Sequence, residues 1–161
     1  KEIIGELEDS KKNLYTDNCI LNSVLNIKYS AAQVADIKIE SNIFVPKYMN
    51  IDYGDMGVLF GNLLDNAIEA NQGVDRKKRW INVSVKYEEH ILIINIKNSK
   101  IRGSRRKKKG YLNHGIGLNS VKQIVEKFNG IVEVQDFGEM YEVSAILYGI
   151  CDDKDLGKSV L

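Results

Sequence analysis

Apolar positions along this chain recur at two spacings, and the spacing changes where the backbone should change. From residue 2 to about 36, Leu14, Ile20, Leu21, Val24, Leu25, Ile27 and Val34 fall at three- and four-residue steps. That predicts helix, either a core helix or the end of a dimerising one. Residues 36–45 then alternate, Ile37, Ile39, Ile43 and Val45 against Lys38 and Glu40, as a half-buried strand does, and Pro46 ends the run. Residues 55–70 carry the clearest helical stripe, Met56, Leu59, Phe60, Leu63, Leu64, Ala67 and Ile68, with Asp55 as N-cap or first-turn acid and Asn71-Gln72-Gly73 as the stop.

Residues 80–87 and 91–97 read as strands joined through Glu88-Glu89-His90. Residues 99–113 are polar, contain glycine and lack any period, which predicts a long loop of the functional-lid kind. A helix is expected to resume at 118–128, with Leu118, Val121, Ile124, Val125 and Phe128 on one face and Asn129-Gly130 at its end. Strands at 131–135 and 141–148 follow, then a polar tail that we expect to fray. This order predicts an α+β fold, one mixed sheet covered by helices on one face.

Composition narrows the class. At 161 residues, 43% hydrophobic and 28% charged, the chain suits one soluble domain with a core of its own. A formal net charge of +1 gives no general push toward nucleic acid or membrane. Cys19 and Cys151 form no CxxC and have no histidine pair near them, which argues against a zinc site and a disulfide scaffold. No apolar run approaches the ~20 residues of a membrane span, and no signal peptide precedes the charged stretch after Lys1. Because the chain opens on Lys1 rather than Met, we expect a fragment, whose parent can still carry a membrane anchor.

Two segments carry polar residues with a chemical use. Asn62 and Asn66, four apart, stack on one helix face at the flank of the apolar stripe. An amide oxygen there can serve a hard cation such as Mg2+, which leans on substrate phosphates for its other ligands. Either asparagine can equally satisfy nearby backbone and do nothing else. Asn113-His114-Gly115-Ile116-Gly117-Leu118 leads straight into a helix, where glycines permit close approach and free N–H groups suit phosphate. A bare GxG also begins many ordinary helices.

Together these segments resemble a known family. Gly61-Asn62-Leu63-Leu64-Asp65-Asn66-Ala67-Ile68-Glu69-Ala70 resembles the N box of the ATPase superfamily shared by gyrase, histidine kinases and MutL. His114-Gly115-Ile116-Gly117-Leu118-Asn119-Ser120-Val121 resembles its second glycine box. The resemblance spans about residues 37–148 and implies a Bergerat-type two-layer sandwich. It implies ATP and Mg2+ as cofactors, with Asn66 on the metal, Asn62 beside metal or phosphates, and His114, Gly115, Gly117 and Leu118 along the nucleotide. Residues 1–35 would be a helical leader from a dimerisation region, 36–150 the catalytic domain with a lid at 99–113, and 151–161 a tail.

Within the superfamily, the N box and the strand end Ile96-Lys97-Asn98-Ser99 are similar to the Agr-type receptors for peptide pheromones. Asn22-Ser23-Val24-Leu25-Asn26-Ile27-Lys28 resembles their leader. Asn98 would then replace the adenine-binding aspartate without its charge, which implies weak nucleotide affinity. The chain departs from the family in lacking an Asp-x-Gly-x-Gly box and the lid phenylalanine motif, and in placing Glu69 where many kinases have a phosphate-contacting cation.

The lid is basic, with Arg102, Arg105, Arg106, Lys107, Lys108 and Lys109. These can reach a γ-phosphate, bind nucleic acid or anionic lipid, or simply be solvated. Three functions suit such a site: phosphoryl transfer to a histidine, ATP hydrolysis, and nucleotide-dependent interaction without catalysis. In the hydrolytic relatives a glutamate one turn before the metal asparagine acts as base. Here that place holds Asn62, which favours the kinase. The expected partners are the histidine-bearing dimerisation domain of the parent protein and a response regulator, with no nucleic acid, and the expected setting is the cytoplasmic side of a membrane-anchored bacterial receptor.

Overall fold

The computed structural model describes residues 13–103 and 114–156. Three helices lie on one face of a five-stranded sheet. The elements are α1 (Cys19–Val34), β1 (Lys38–Phe44), α2 (Tyr53–Asn71), β2 (Trp80–Glu88), β3 (Ile91–Ser99), α3 (His114–Lys127), β4 (Ile131–Asp136) and β5 (Met140–Tyr148), then one helical turn, α4 (Asp153–Leu156). Strand order is β1-β2-β3-β5-β4. Only β1 and β2 run parallel, joined by the α2 crossover.

Alternation along the strands sorts the two faces. Ile81, Val83 and Val85 of β2, Leu92, Ile94 and Ile96 of β3, and Val143, Ala145 and Leu147 of β5 are all buried beneath the helices. Their alternates include Ser84, Asn95, Glu142 and Ser144, and on that open face Asn95 Nδ2 donates to Glu142 Oε1 (2.6 Å) and Ser144 Oγ (2.8 Å). The central layer is α2. Its Met56, Leu59, Phe60, Leu63, Leu64 and Ala67 are buried, and each larger side chain contributes ~1.5–3 kcal/mol of transfer free energy.

Several boundaries differ from the sequence expectation. The first helix begins only at Cys19: Asn18 caps it, its Oδ1 accepting from Leu21 N at 3.0 Å, and residues 13–18 are irregular. Its buried face is Leu21, Leu25, Tyr29 and Ala32, so α1 serves the core, while Leu14, Ile27 and Val34 are exposed. Asp52 caps α2, accepting from Gly54 N (2.8 Å) and Asp55 N (3.3 Å), which leaves Asp55 as the first-turn acid, the second of its two expected roles. The tail does not begin to fray at Cys151, because Cys151 N donates to Asn50 Oδ1 (2.8 Å) and a helical turn follows.

Two tight places fix the chain path. The β2–β3 turn is two residues long, Glu89 (φ 46) and His90 (φ 65), both left-handed as a type I′ hairpin requires. After α3, Gly130 is demanded by packing, since a Cβ there would meet the Ile146 carbonyl oxygen at 2.1 Å.

Candidate functional site

Because Asp52 sets where α2 starts, Asn62 and Asn66 fall on the border between its buried stripe and its outer face. From there Asn62 Nδ2 donates to the carbonyl oxygen of Gly117, 3.3 Å away on α3. The fold therefore brings the two sequence segments into direct contact. Asn66 is half-buried, yet its Nδ2 is fully enclosed and has no hydrogen-bond partner among the described residues. An orphaned buried amide costs ~1–3 kcal/mol, so packing alone does not explain an asparagine at this place.

The glycine segment, expected to lead into the helix, is itself helical. It starts α3 at His114, four residues before the predicted start, so Gly115 and Gly117 lie in the opening turn. The N–H groups of a first helical turn have no intrahelical acceptor, so they remain free to donate to an anion. The side chains of 114–116 lie outside the described residues, and no role for His114 is visible. A Cβ built on Gly117 would meet Asn62 Cγ at 3.7 Å, an ordinary contact. Leu118 is half-buried in the same turn.

Asn98 lies in the layer beneath, near the end of β3, the strand against which α2 packs. It is 2% exposed, on the helix-covered face, and its Nδ2 donates to the Ser99 carbonyl at 3.0 Å. Ser99, expected to open the lid, instead continues the strand. Its hydroxyl donates to Asn71 Oδ1 and accepts from Trp80 N (3.0 Å), while Asn71 Nδ2 donates to Ala67 O (2.9 Å) and Trp80 O (3.3 Å). The helix does end at Asn71, as the sequence predicts, but the buried network that Asn71 makes was not foreseen. The available signal was its place four residues after Ala67, on the buried stripe of α2.

Of the expected lid, only its first residues are described. Lys100 pairs with Asp136, and Arg102 Nε lies 3.9 Å from Glu139 Oε1. Arg105, Arg106, Lys107, Lys108, Lys109 and Asn113 fall outside the described residues. On the far flank of α2, Lys28 of α1 meets Asp65 at 2.7 Å, a pairing that the sequence did not announce.

The chemistry of these donors suits a phosphate-bound cation better than a free one. Mg2+ takes oxygen ligands and keeps few from protein when phosphates are present. Two neutral amides, one with an unpartnered buried nitrogen, fit that role only alongside phosphate oxygens.

Residues 51–147 match the family model of the GHKL domain, and the chain belongs to that family. A relative, the probable C4-dicarboxylate sensor kinase of Bacillus subtilis (strain 168), is 32% identical over 95 residues, 53% of this chain and 18% of that protein. The chain thus spans less than a fifth of that kinase's length. The catalytic domain of histidine kinase ThkA shares the fold, with a TM-score of 0.64 at 15% identity over 82% of this chain and 91% of that one. The Acinetobacter baumannii histidine kinase AdeS gives 0.60 at 16% identity over 89% and 71%. Full-length ShkA, solved in complex with AMPPNP, gives 0.62 at 15% identity over 85% and 31%. At these identities the likeness to the solved structures is one of fold.

Proposed function

We propose that this chain is the ATP-binding catalytic domain of a two-component sensor histidine kinase, and that its parent is a receptor of the Agr peptide-pheromone type. The observation that carries the reading is the amide of Asn62, held against the Gly117 carbonyl, where a hydrolase would need a carboxylate base. A neutral imidazole needs no base to attack phosphorus, because its acceptor nitrogen already has a lone pair. That nitrogen bonds to the γ-phosphorus, the bond to the β–γ bridging oxygen breaks, and ADP leaves with the electron pair while the imidazole proton passes to solvent.

The protein's own part is positioning and charge balance. In this reading Asn66 holds Mg2+ and Asn62 orders the phosphates. Gly115 and Gly117 open the α3 terminus to the triphosphate, His114 and Leu118 line it, and Asn98 accepts from the adenine amino group. When bound, the metal neutralises charge on the leaving phosphates. The acceptor histidine comes from the dimerisation domain of the parent protein, upstream of α1, and a response regulator receives the phosphoryl group. The parent is membrane-anchored and this domain faces the cytoplasm. Among the described residues no helix is long and apolar enough to cross a membrane. One observation favours a rival, a non-catalytic nucleotide-dependent module: Asn98 is neutral and already bonded to Ser99.

The test uses γ-labelled ATP with Mg2+, the chain alone and the chain with the separately produced dimerisation domain. Acid-labile, base-stable label should appear on the added domain only, and Asn66→Ala should reduce it at least a hundredfold while the circular dichroism spectrum stays unchanged. Steady phosphate release without label would indicate a hydrolase, and nucleotide binding without either product would indicate the interaction module.

A further inference from the structure

The turn between β2 and β3 and the segment after β5 are about sixty residues apart in sequence, yet they close on each other. Ile150 N donates to His90 O at 2.9 Å, and His90 Nδ1 lies 3.1 Å from Ile150 O and 3.3 Å from Asp155 Oδ2. Cys151 completes a triangle: one ligand atom from each of His90, Cys151 and Asp155 lies within 4.8 Å of the other two. We propose that these three residues bind a zinc-class divalent cation, which clamps the segment after β5 onto the hairpin turn.

The ligand chemistry selects the ion. An imidazole nitrogen, a thiolate sulfur and a carboxylate oxygen are the donors of four-coordinate zinc, with a water in the remaining position. Ligands around such an ion lie about 3.3–3.7 Å apart, given bonds of ~2.0–2.3 Å. The triangle therefore needs to contract by only about 1 Å. Mg2+ and Ca2+, which take oxygen, are poor matches for two of the three donors.

Each ligand is held in place by contacts of its own. Cys151 N donates to Asn50 Oδ1 at 2.8 Å, and Asn50 N donates back to Cys151 O at 3.2 Å. Asp155 is fixed by the turn it closes, its Oδ2 accepting from Asp152 N at 3.2 Å. His90 is held by the left-handed turn. Such support orients ligands before the ion arrives. Glu88, Glu89, Asp152 and Asp153 flank the triangle in sequence, so the local field favours a cation. Without an ion, the His90–Asp155 pair is an exposed contact of small energetic worth, with side chains 54% and 27% accessible.

The site lies at the opposite end of β3 from Asn98, roughly 25 Å away at ~3.3 Å per residue. It is therefore independent of nucleotide. Cobalt titration of the reduced whole chain tests it. Wild type should take one equivalent with micromolar affinity and show a thiolate-to-cobalt charge-transfer band, which one equivalent of Zn2+ removes. Cys151→Ser should abolish the band, while His90→Asn (asparagine tolerates the left-handed turn) and Asp155→Asn should each weaken affinity at least tenfold. Cys19→Ser, at the other free cysteine, should leave it unchanged. Zn2+ should also slow hydrogen exchange of residues 151–155 in wild type and not in Cys151→Ser. A band lost with Cys19→Ser, one that persists in Cys151→Ser, or no band at all would overturn the site.

Discussion

Inside the protein, where the end of α2 crosses the end of β3, the hydroxyl of Ser99 is bonded to the amide oxygen of Asn71. The two residues lie 28 positions apart and are both buried, Asn71 at 0% and Ser99 at 5% exposure. With Trp80 they tie the helix that carries Asn62 and Asn66 to the strand that carries Asn98. Layer spacing at the candidate site thus depends on polar groups largely withdrawn from solvent.

Ser99→Ala would leave Asn71 Oδ1, which is buried, and Trp80 N, which is half-buried, without this partner. Each orphaned group costs about 1–3 kcal/mol, so the variant should lose about 2–4 kcal/mol of unfolding free energy. Urea denaturation reads this directly, as a lower midpoint at unchanged slope. A loss within a few tenths of a kcal/mol would mean that the network is replaceable by water.

Asn98→Asp separates the two readings of the adenine position. Asn98 Nδ2 now donates to the Ser99 carbonyl, and an aspartate would set oxygen against oxygen in a place only 2% exposed. The apo variant should be less stable by about 2 kcal/mol or more. A carboxylate accepts from an adenine amino group more strongly than an amide does, so ATP affinity should rise about tenfold. Calorimetric titration measures it, and unchanged affinity would remove Asn98 from the base site.

How much of this was legible in the sequence depended on the range of each interaction. The α2 stripe was readable because its partners recur within one helix, and the six positions from Met56 to Ala67 are buried as expected. The place of Asn62 and Asn66 at the flank of that stripe was readable for the same reason. The α1 start was not, because Leu14 and Ile27 continue an apolar rhythm that the fold leaves exposed, while Asn18 supplies the real boundary. The Asn71–Ser99 pair was hidden by residue type, since a polar residue at a helix end ordinarily marks a stop. The triangle of His90, Cys151 and Asp155 was hidden by distance. Local spacing argued against zinc, and only the docking of residue 150 on the hairpin turn brings the three together.

Tyr29 gives the fold an alkaline limit. Its hydroxyl donates to Ser41 Oγ at 3.0 Å, and burial pushes the phenol from 10.0 up to about 12. Below pH 10 the phenol is neutral in both folded and unfolded chains, so it adds no pH dependence. Between pH 10 and about 12 the unfolded chain loses the proton first, and stability falls as pH rises. A tenfold change in proton affinity is worth ~1.4 kcal/mol, so the full loss is about 2–3 kcal/mol. Urea denaturation at pH 9 and 11 should show that fall in wild type. Tyr29→Phe, weaker at pH 9 for want of the Ser41 bond, should fall less between the two, and an equal fall would exclude Tyr29 as the cause.

Gly117→Ala tests whether the second glycine serves the fold or the ligand. In the fold it has little to do. A Cβ there finds only the Asn62 side chain, nearest at 3.7 Å, which is normal van der Waals contact. The position is helical, and alanine is favoured over glycine in helices by ~0.5–1 kcal/mol, so the variant should be as stable as wild type or slightly more so. A phosphate chain lying against the same backbone would lose its closest approach to the methyl group. Nucleotide affinity should then fall at least tenfold, with the melting temperature unchanged or raised. Thermal unfolding and calorimetric titration on the same sample separate the two effects. If affinity is unchanged, Gly117 does not border the triphosphate; if stability and affinity fall together, the glycine is there for packing.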